Sequence, residues 1–177
     1  MRLRARRLLA AAAAAVSFGC VVPAPGGAPA APPGPQPPAA GGSALAEAVV
    51  NESNRTRAAH GVRVLAMDEA LNEAAQGHAE ELAARRTLDH RSITPGRTTM
   101  SERIRAAGGT WVRAAENLAN MSGPASNVPA QTIDLWLSST GHRRNLLEPA
   151  YTHTGTGVAA DARGVWYVVQ LYTVPAP

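Results

Sequence analysis

"GVWYVVQLYTV", residues 164–174, is built from valines, aromatic residues and a threonine, the types that favour an extended chain. Val165, Tyr167, Val169 and Leu171 alternate with Trp166, Val168, Gln170 and Tyr172. Successive side chains of a strand point to opposite faces, and here both sets are mostly apolar. A strand with one wet face would show polar residues on that face. The run therefore predicts a central strand covered on both sides. "DARG", 161–164, reads as the turn before it, and "TGTGVAAD", 154–161, as a neighbouring strand. "ENLANM", 116–121, supplies a further strand candidate.

Helices come first in the chain. "SALAEAVVNESNRTRAAHG", 43–61, predicts a helix capped by Ser43 and ended by a left-handed residue at Gly61. Asp68 can cap a second helix, where Leu71, Ala74, Ala75, His78, Ala79 and Leu82 follow the spacing of a buried stripe. "TMSE", 99–102, has the capping-box pattern and opens a short helix through Ile104 towards Gly108-Gly109. Pro129 suits the first turn of a helix carrying Ile133, Leu135, Trp136 and Leu137. Helices followed by antiparallel strands covered on two faces predict an α+β fold, a three-layer α-β-α sandwich around a central antiparallel sheet.

The chain divides into three parts. "MRLRARR" followed by an apolar run reads as a signal peptide over residues 1–19, too short for a spanning helix. The only cysteine, Cys20, follows this run as in a bacterial lipobox and is the candidate lipidation site, although Ser17 departs from that motif. Simple secretion is the alternative, and both readings place the domain outside the cytoplasm. With one cysteine there is neither an intramolecular disulfide nor a cysteine metal cage. Residues 20–42 are a Pro/Ala/Gly tether that builds no core. The domain occupies 43–177.

The charge balance removes one class of partner. Formal net charge is +4, but four of the 17 basic residues are Arg2, Arg4, Arg6 and Arg7. The other 13 face 13 acidic residues, so the domain is neutral and offers little to a polyphosphate backbone. Nucleic acid is not an expected partner. Membrane contact is expected through the lipid anchor alone, and the domain is expected to be a monomer.

Two motifs mislead. Gly155 to Ala160 fits a loose dinucleotide pattern, but a turn and a strand follow where a helix is needed, so the glycines read as close packing in a strand. His78-Ala79-Glu80 matches half of a zinc-deaminase signature, and the Cys-x-x-Cys half is missing. His78 reads better as part of the buried stripe. Three candidates remain at predicted element ends: His90, Glu116 and His142. Imidazoles with a carboxylate can hold a zinc-like ion or exchange protons near neutral pH. For each residue alone, a capping or hydrogen-bonding role is the plainer reading.

The order of motifs is more specific. "NESNRTRAAHG", "LDH", "SERIRAAGG", "AENLA", "GHRRNLLEPAYTHTGTGV" and "YVVQLYT" together resemble the CAP superfamily, that of cysteine-rich secretory, antigen 5 and pathogenesis-related proteins, in its bacterial SCP-like branch. The resemblance implies the α-β-α sandwich and a cleft lined by two histidines and two glutamates that binds divalent metal in various members. It assigns His90, Glu116 and His142 to that cleft, with His90 and His142 as metal ligands and Glu116 as the catalytic candidate if there is catalysis. Ser139 stands where related chains carry the second glutamate. The expected function is a non-catalytic, extracytoplasmic module binding a lipid, a sterol-like molecule or an envelope protein. No cofactor is required, although zinc or another divalent metal could bind weakly. A metal-assisted or His/Glu hydrolase acting on envelope substrates is the alternative.

Overall fold

In the computed structural model, which describes residues 40–177, the valine-rich run near the C-terminus is the strand flanked along its whole length. The expected signal peptide, the candidate lipidation site Cys20 and the expected tether up to residue 39 lie outside the described residues. Strand β1 is Ala66–Met67, β2 is Arg113–Ser122, β3 is His153–Ala160 and β4 is Val165–Val174. Their order is β1-β3-β4-β2. β4 pairs antiparallel with β2, from Arg113 opposite Val174 to Ser122 opposite Val165. On its other side it pairs antiparallel with β3, with Gly155 opposite Leu171 and Thr156 opposite Gln170. The short β1 is the exception to the antiparallel expectation, since it joins β3 in parallel.

Five helices cover the two faces: α1 Ala40–Ala59, α2 Glu69–Arg85, α3 Met100–Ala106, α4 Val128–Ser138 and α5 Thr140–Leu147. Against one face, Leu71, Ala75, Ala79 and Leu82 of α2 and Ile104 of α3 pack on Leu118, Tyr167, Val169 and Leu171. Against the other, Val49 of α1, Ile133 and Trp136 of α4 and Leu146 of α5 pack on Ala119, Val158, Val168 and Tyr172. Alternation along β4 thus serves two cores, and this produces the three layers.

Local signals place most boundaries. Asp68 caps α2 by accepting from the Leu71 N–H at 3.0 Å, and Thr99 with Glu102 forms the complete capping box at α3. Gly61 adopts the left-handed conformation, φ 71°, after α1. Three expectations need correction. Helix α1 begins at Ala40, so Ser43 lies inside it and is not its cap; Gly42 there approaches the Val158 carbonyl, so docking on β3 accompanies the added turn. Leu135 is exposed, because α4 turns only its Ile133/Trp136 side inward. His142, expected at an element end, belongs with the two arginines after it to a separate helix, α5. With Leu146 alone buried on it, α5 shows no apolar period to read.

Two glycines set how closely α2 lies on the sheet. A Cβ on Gly155 would stand 2.2 Å from the Leu71 carbonyl carbon, and one on Gly157 would stand 2.4 Å from that of Ala75. The exposed edge of β3 is closed by the same helix. Asn72 accepts from the Thr156 N–H at 3.0 Å, and Gln76 accepts from the Val158 N–H at 3.0 Å. These amides stand in for a further strand and blunt an edge that could otherwise pair with another chain. Gly155→Ala is expected to destabilise the domain by about 3 kcal/mol, since backbone and not a flexible side chain blocks the added methyl. A urea midpoint equal to that of the wild type would show that the helix can move away freely.

Candidate functional site

Glu116 lies within β2, on the face towards α2 and α3, and not at the element end expected for it. Its side chain is 3% exposed. Burying a carboxylate is unfavourable without partners, and both of its oxygens have one. Oε2 accepts from Nη2 of Arg103 at 2.5 Å. Oε1 meets Nδ1 of His90 at 2.8 Å. Arg103 itself projects from α3 and is 4% exposed, whereas the His90 side chain is 60% exposed.

His90 rides on the loop between α2 and α3, and that loop is held from beneath at several points. Nε2 of the buried His78 lies 2.9 Å from the Asp89 carbonyl. Arg103 donates through Nη1 to the carbonyls of His90 at 3.2 Å and Thr98 at 3.4 Å. Glu81 of α2 accepts from the Ser92 hydroxyl, from the Ile93 N–H at 2.9 Å and from the Thr94 hydroxyl at 3.1 Å. Burial acts to raise the Glu81 pKa, but the hydrogen bonds from Ser92, Ile93, Arg85 and Thr94 prevail and hold it at about 2.

His142 approaches from the opposite layer. It lies on α5, beside the outer edge of β2. Asn145, one turn later, donates to the Asn117 side-chain oxygen at 3.0 Å and reaches the Glu116 carbonyl at 3.5 Å. Asn117 donates to the His142 carbonyl at 3.0 Å and to the Tyr172 hydroxyl at 3.3 Å. The Tyr172 hydroxyl donates to Gln170 at 2.6 Å, and Ser53 of α1 donates to the same oxygen at 3.0 Å. A buried polar chain therefore fixes the backbone of His142 from across the sheet. Trp136 closes the next outward carbonyl of β2, that of Leu118, at 3.0 Å.

The three candidates converge to different degrees. His90 and Glu116 are bonded and line an open hollow of about 320 Å³ with Arg91, Thr99 and Met100. His142 is outside that lining but within electrostatic reach: its pKa is lowered by burial first and by the charge of His90 second. The pKa of His90 moves the other way, raised chiefly by its hydrogen bond to Glu116. Ser139 is the junction residue between α4 and α5, and its hydroxyl makes no capping bond.

Among the described residues, no group of three or more His, Cys, Asp or Glu side chains is disposed to hold a metal. The reason is chemical. Each Glu116 oxygen already accepts a hydrogen bond, one from Arg103 and one at His90, and His142 lies outside the hollow those residues line. A carboxylate bonded to Nδ1 is nonetheless the usual way to orient a ligating histidine. The described residues make no closed metal site.

Arg103, Asn117, Asn145, His78 and Glu81 are the parts that sequence reading missed in these roles. Asn145 had a signal, lying i+3 from His142 on one helix. Arg103, in a short exposed-looking helix, had none.

A larger groove of about 660 Å³ runs between α1 and α2. Val50 and Met67 give it apolar lining, and Glu47, Glu73 and Gln76 give it polar lining.

The sequence profile of the Cysteine-rich secretory protein family, CAP, matches residues 50–172. The chain is 29% identical over 124 residues to the YkwD protein of Bacillus subtilis, covering 70% of this chain and 46% of that one. It thus spans less than half of that relative. Among solved structures, an extracellular SCP-domain protein of Bacillus anthracis superposes with a TM-score of 0.63 at 25% identity, over 80% of this chain and 45% of the other. An outer surface protein of Borrelia burgdorferi gives 0.64 at 20% identity, over 75% of this chain and 94% of the other, a likeness of fold alone.

The clamp under the loop has a pH signature. Glu81 has its folded pKa depressed from 4.5 to about 2, so its contribution is complete above pH 4.5 and is lost as pH falls towards 2. Thermal melts across that window should show the wild type losing its advantage over Glu81→Gln as acid is added. Parallel curves for the two proteins would contradict the clamp.

Proposed function

The chain belongs to the cysteine-rich secretory protein (CAP) family, and from that premise we propose that it is a non-catalytic, extracytoplasmic ligand-binding module with a weak divalent-metal site at His90 and His142. The observation that carries this reading is the state of Glu116. A general base must bring an accessible oxygen to the proton it takes, and the Glu116 side chain is 3% exposed. Both oxygens of Glu116 are engaged, one by a buried guanidinium at 2.5 Å. The carboxylate is thereby an orienting group for His90.

If a metal binds, His90 through its free nitrogen and His142 hold it, and water completes the shell. Burial lowers the pKa of His142 and so favours the neutral imidazole that ligates, whereas the hydrogen bond to Glu116 raises that of His90 and works against ligation there. The bound ion would supply Lewis acidity or a cationic contact for a ligand. Ser139, in place of an acidic residue, leaves the shell thin.

The ligand class is a lipid, a sterol-like molecule or an envelope protein. The mixed lining of the groove between α1 and α2 favours an amphipathic molecule over a wholly apolar one. Among the described residues no helix is long and apolar enough to cross a membrane. The lipobox-like Cys20 supports an anchor at the envelope, with simple secretion as the other route.

Zinc titration should show one weak site that His90→Ala or His142→Ala removes while far-UV circular dichroism stays native. Wild-type zinc binding in both variants would refute the assignment. The hydrolase alternative requires turnover that falls at least about 100-fold in Glu116→Ala. We expect no Glu116-dependent hydrolysis of peptide, ester or glycan substrates, with or without added zinc, and finding it would replace the present reading.

A further inference from the structure

We propose that the groove between α1 and α2 is a docking site for an extended, basic segment of a protein partner, with lysine or arginine side chains spaced along it. The inference rests on the reading of the domain as a ligand-binding module, and it names the chemistry of the ligand.

The wall formed by α2 carries a ridge of like charge. Glu69, Glu73, Gln76 and Glu80 fall at spacings of four, three and four residues, so they share one helix face along the groove. Glu47 of α1 joins them in the lining, where Arg97 is the one cation. Like charges one turn apart destabilise a helix. Among the described residues, none of these four glutamates forms an ion pair.

An acidic face by itself is ordinary solvated surface, and two further features point to an occupant. Thr156 of β3 lines the groove and is 2% exposed, yet its hydroxyl has no hydrogen-bond partner among the described residues. It stands opposite Gln170, on the α1 face of the sheet. Buried hydroxyls in native folds normally have a partner, and the backbone of a chain lying in the groove can supply one. The second feature is Gly77, inside α2 and also on the lining. Glycine weakens a helix interior relative to alanine. Gly77 is not among the glycines of positive φ, and a Cβ added there would meet no atom within 4 Å. Neither backbone conformation nor internal packing calls for glycine here. A bare stretch of helix wall lets another chain lie close.

Length selects the occupant. From Glu69 to Glu80 the ridge runs about 16 Å along the helix axis. An extended chain covers that distance in about five residues. Glu69 and Glu73 are about 6 Å apart along the axis, close to the roughly 7 Å between alternate residues of an extended chain. A lipid with a single cationic head would answer one carboxylate and leave the others unmet. Val50 and Met67 give the intervening side chains apolar contact. Docking does not add a strand to β3 here, because Asn72 and Gln76 already hold the Thr156 and Val158 N–H groups.

The test uses the full chain and a fluorescently labelled five-residue peptide of alternating lysine and valine, followed by anisotropy. The wild type should bind it, and less tightly as salt rises. A matching peptide of glutamate and valine should not bind. Replacing both ridge residues, Glu69→Gln with Glu73→Gln, should weaken binding at least about ten-fold. Arg97→Gln, which removes the lone cation, should tighten it. Gly77→Leu should weaken binding while the melting temperature holds or rises, a combination that a purely structural glycine would not give. Thr156→Val should lower affinity without altering its salt dependence. No binding by the wild type, equal binding of the acidic peptide, or unchanged affinity in the folded double glutamate variant overturns the proposal. Spermine binding as tightly as the peptide, and unaffected by Gly77→Leu, also overturns it, since the groove would then read charge alone. Oleate bound in place of the peptide would overturn this proposal and leave the ligand-binding module standing. Cleavage of the bound peptide would sink the non-catalytic reading of the preceding section and leave the docking site standing.

Discussion

The buried pair of Arg103 and Glu116 is the contact on which the organisation of the cleft depends. It joins α3 to β2 across the lower core, and the second arm of the same guanidinium holds the loop that carries His90. A pair this deep adds little net stability compared with apolar packing, because desolvation offsets most of the attraction. Its contribution is positional. It fixes an ionised carboxylate beneath an exposed imidazole, and the imidazole in turn binds its proton more tightly.

Around that contact the fold repeats one solution to one problem, the outward polar groups of a four-stranded sheet. On the β3 side, Asn72 and Gln76 present amides to the open strand. On the β2 side, Trp136 and Asn145 close the carbonyls of Leu118 and Glu116. His90, bonded to Glu116 on one face of β2, and His142, whose carbonyl is held by Asn117 on the other, are thereby tied to the same strand. Arg57 performs a similar task below. Its buried guanidinium takes the carbonyls of Arg63, Leu146, Glu148 and Tyr151, and so ties α1 to the end of α5. Burial lowers its pKa, and the planar fork of donors is what lets one side chain reach four carbonyls.

Much of the fold was legible because its signals are local. Asp68, the Thr99/Glu102 box and the left-handed Gly61 act within one turn of chain, and each performs as its spacing predicts. The buried stripe of α2 includes His78, whose Nδ1 has no partner among the described residues. Helix α5 was not legible. Leu146 is the one side chain it buries, and it is held by hydrogen bonds to its flanks, so no period announces it. The early start of α1 escaped for a related reason, since its first three residues, Ala40, Gly41 and Gly42, include two glycines and so carry no net helical signal of their own.

The sequence by itself determined the three layers, most element boundaries, and the identity of His90, Glu116 and His142 as residues worth watching. Alternation and helical period report on neighbours a few positions apart, and that is enough to say which faces are buried. Only the tertiary structure decided what those residues can do. Glu116 is separated from His90 by 26 positions and from Arg103 by 13, and no local period encodes such pairings. A glutamate in a strand reads the same whether it is a base, a ligand or an anchor. The guanidinium brought against it by the packing of α3 on β2 makes it the anchor.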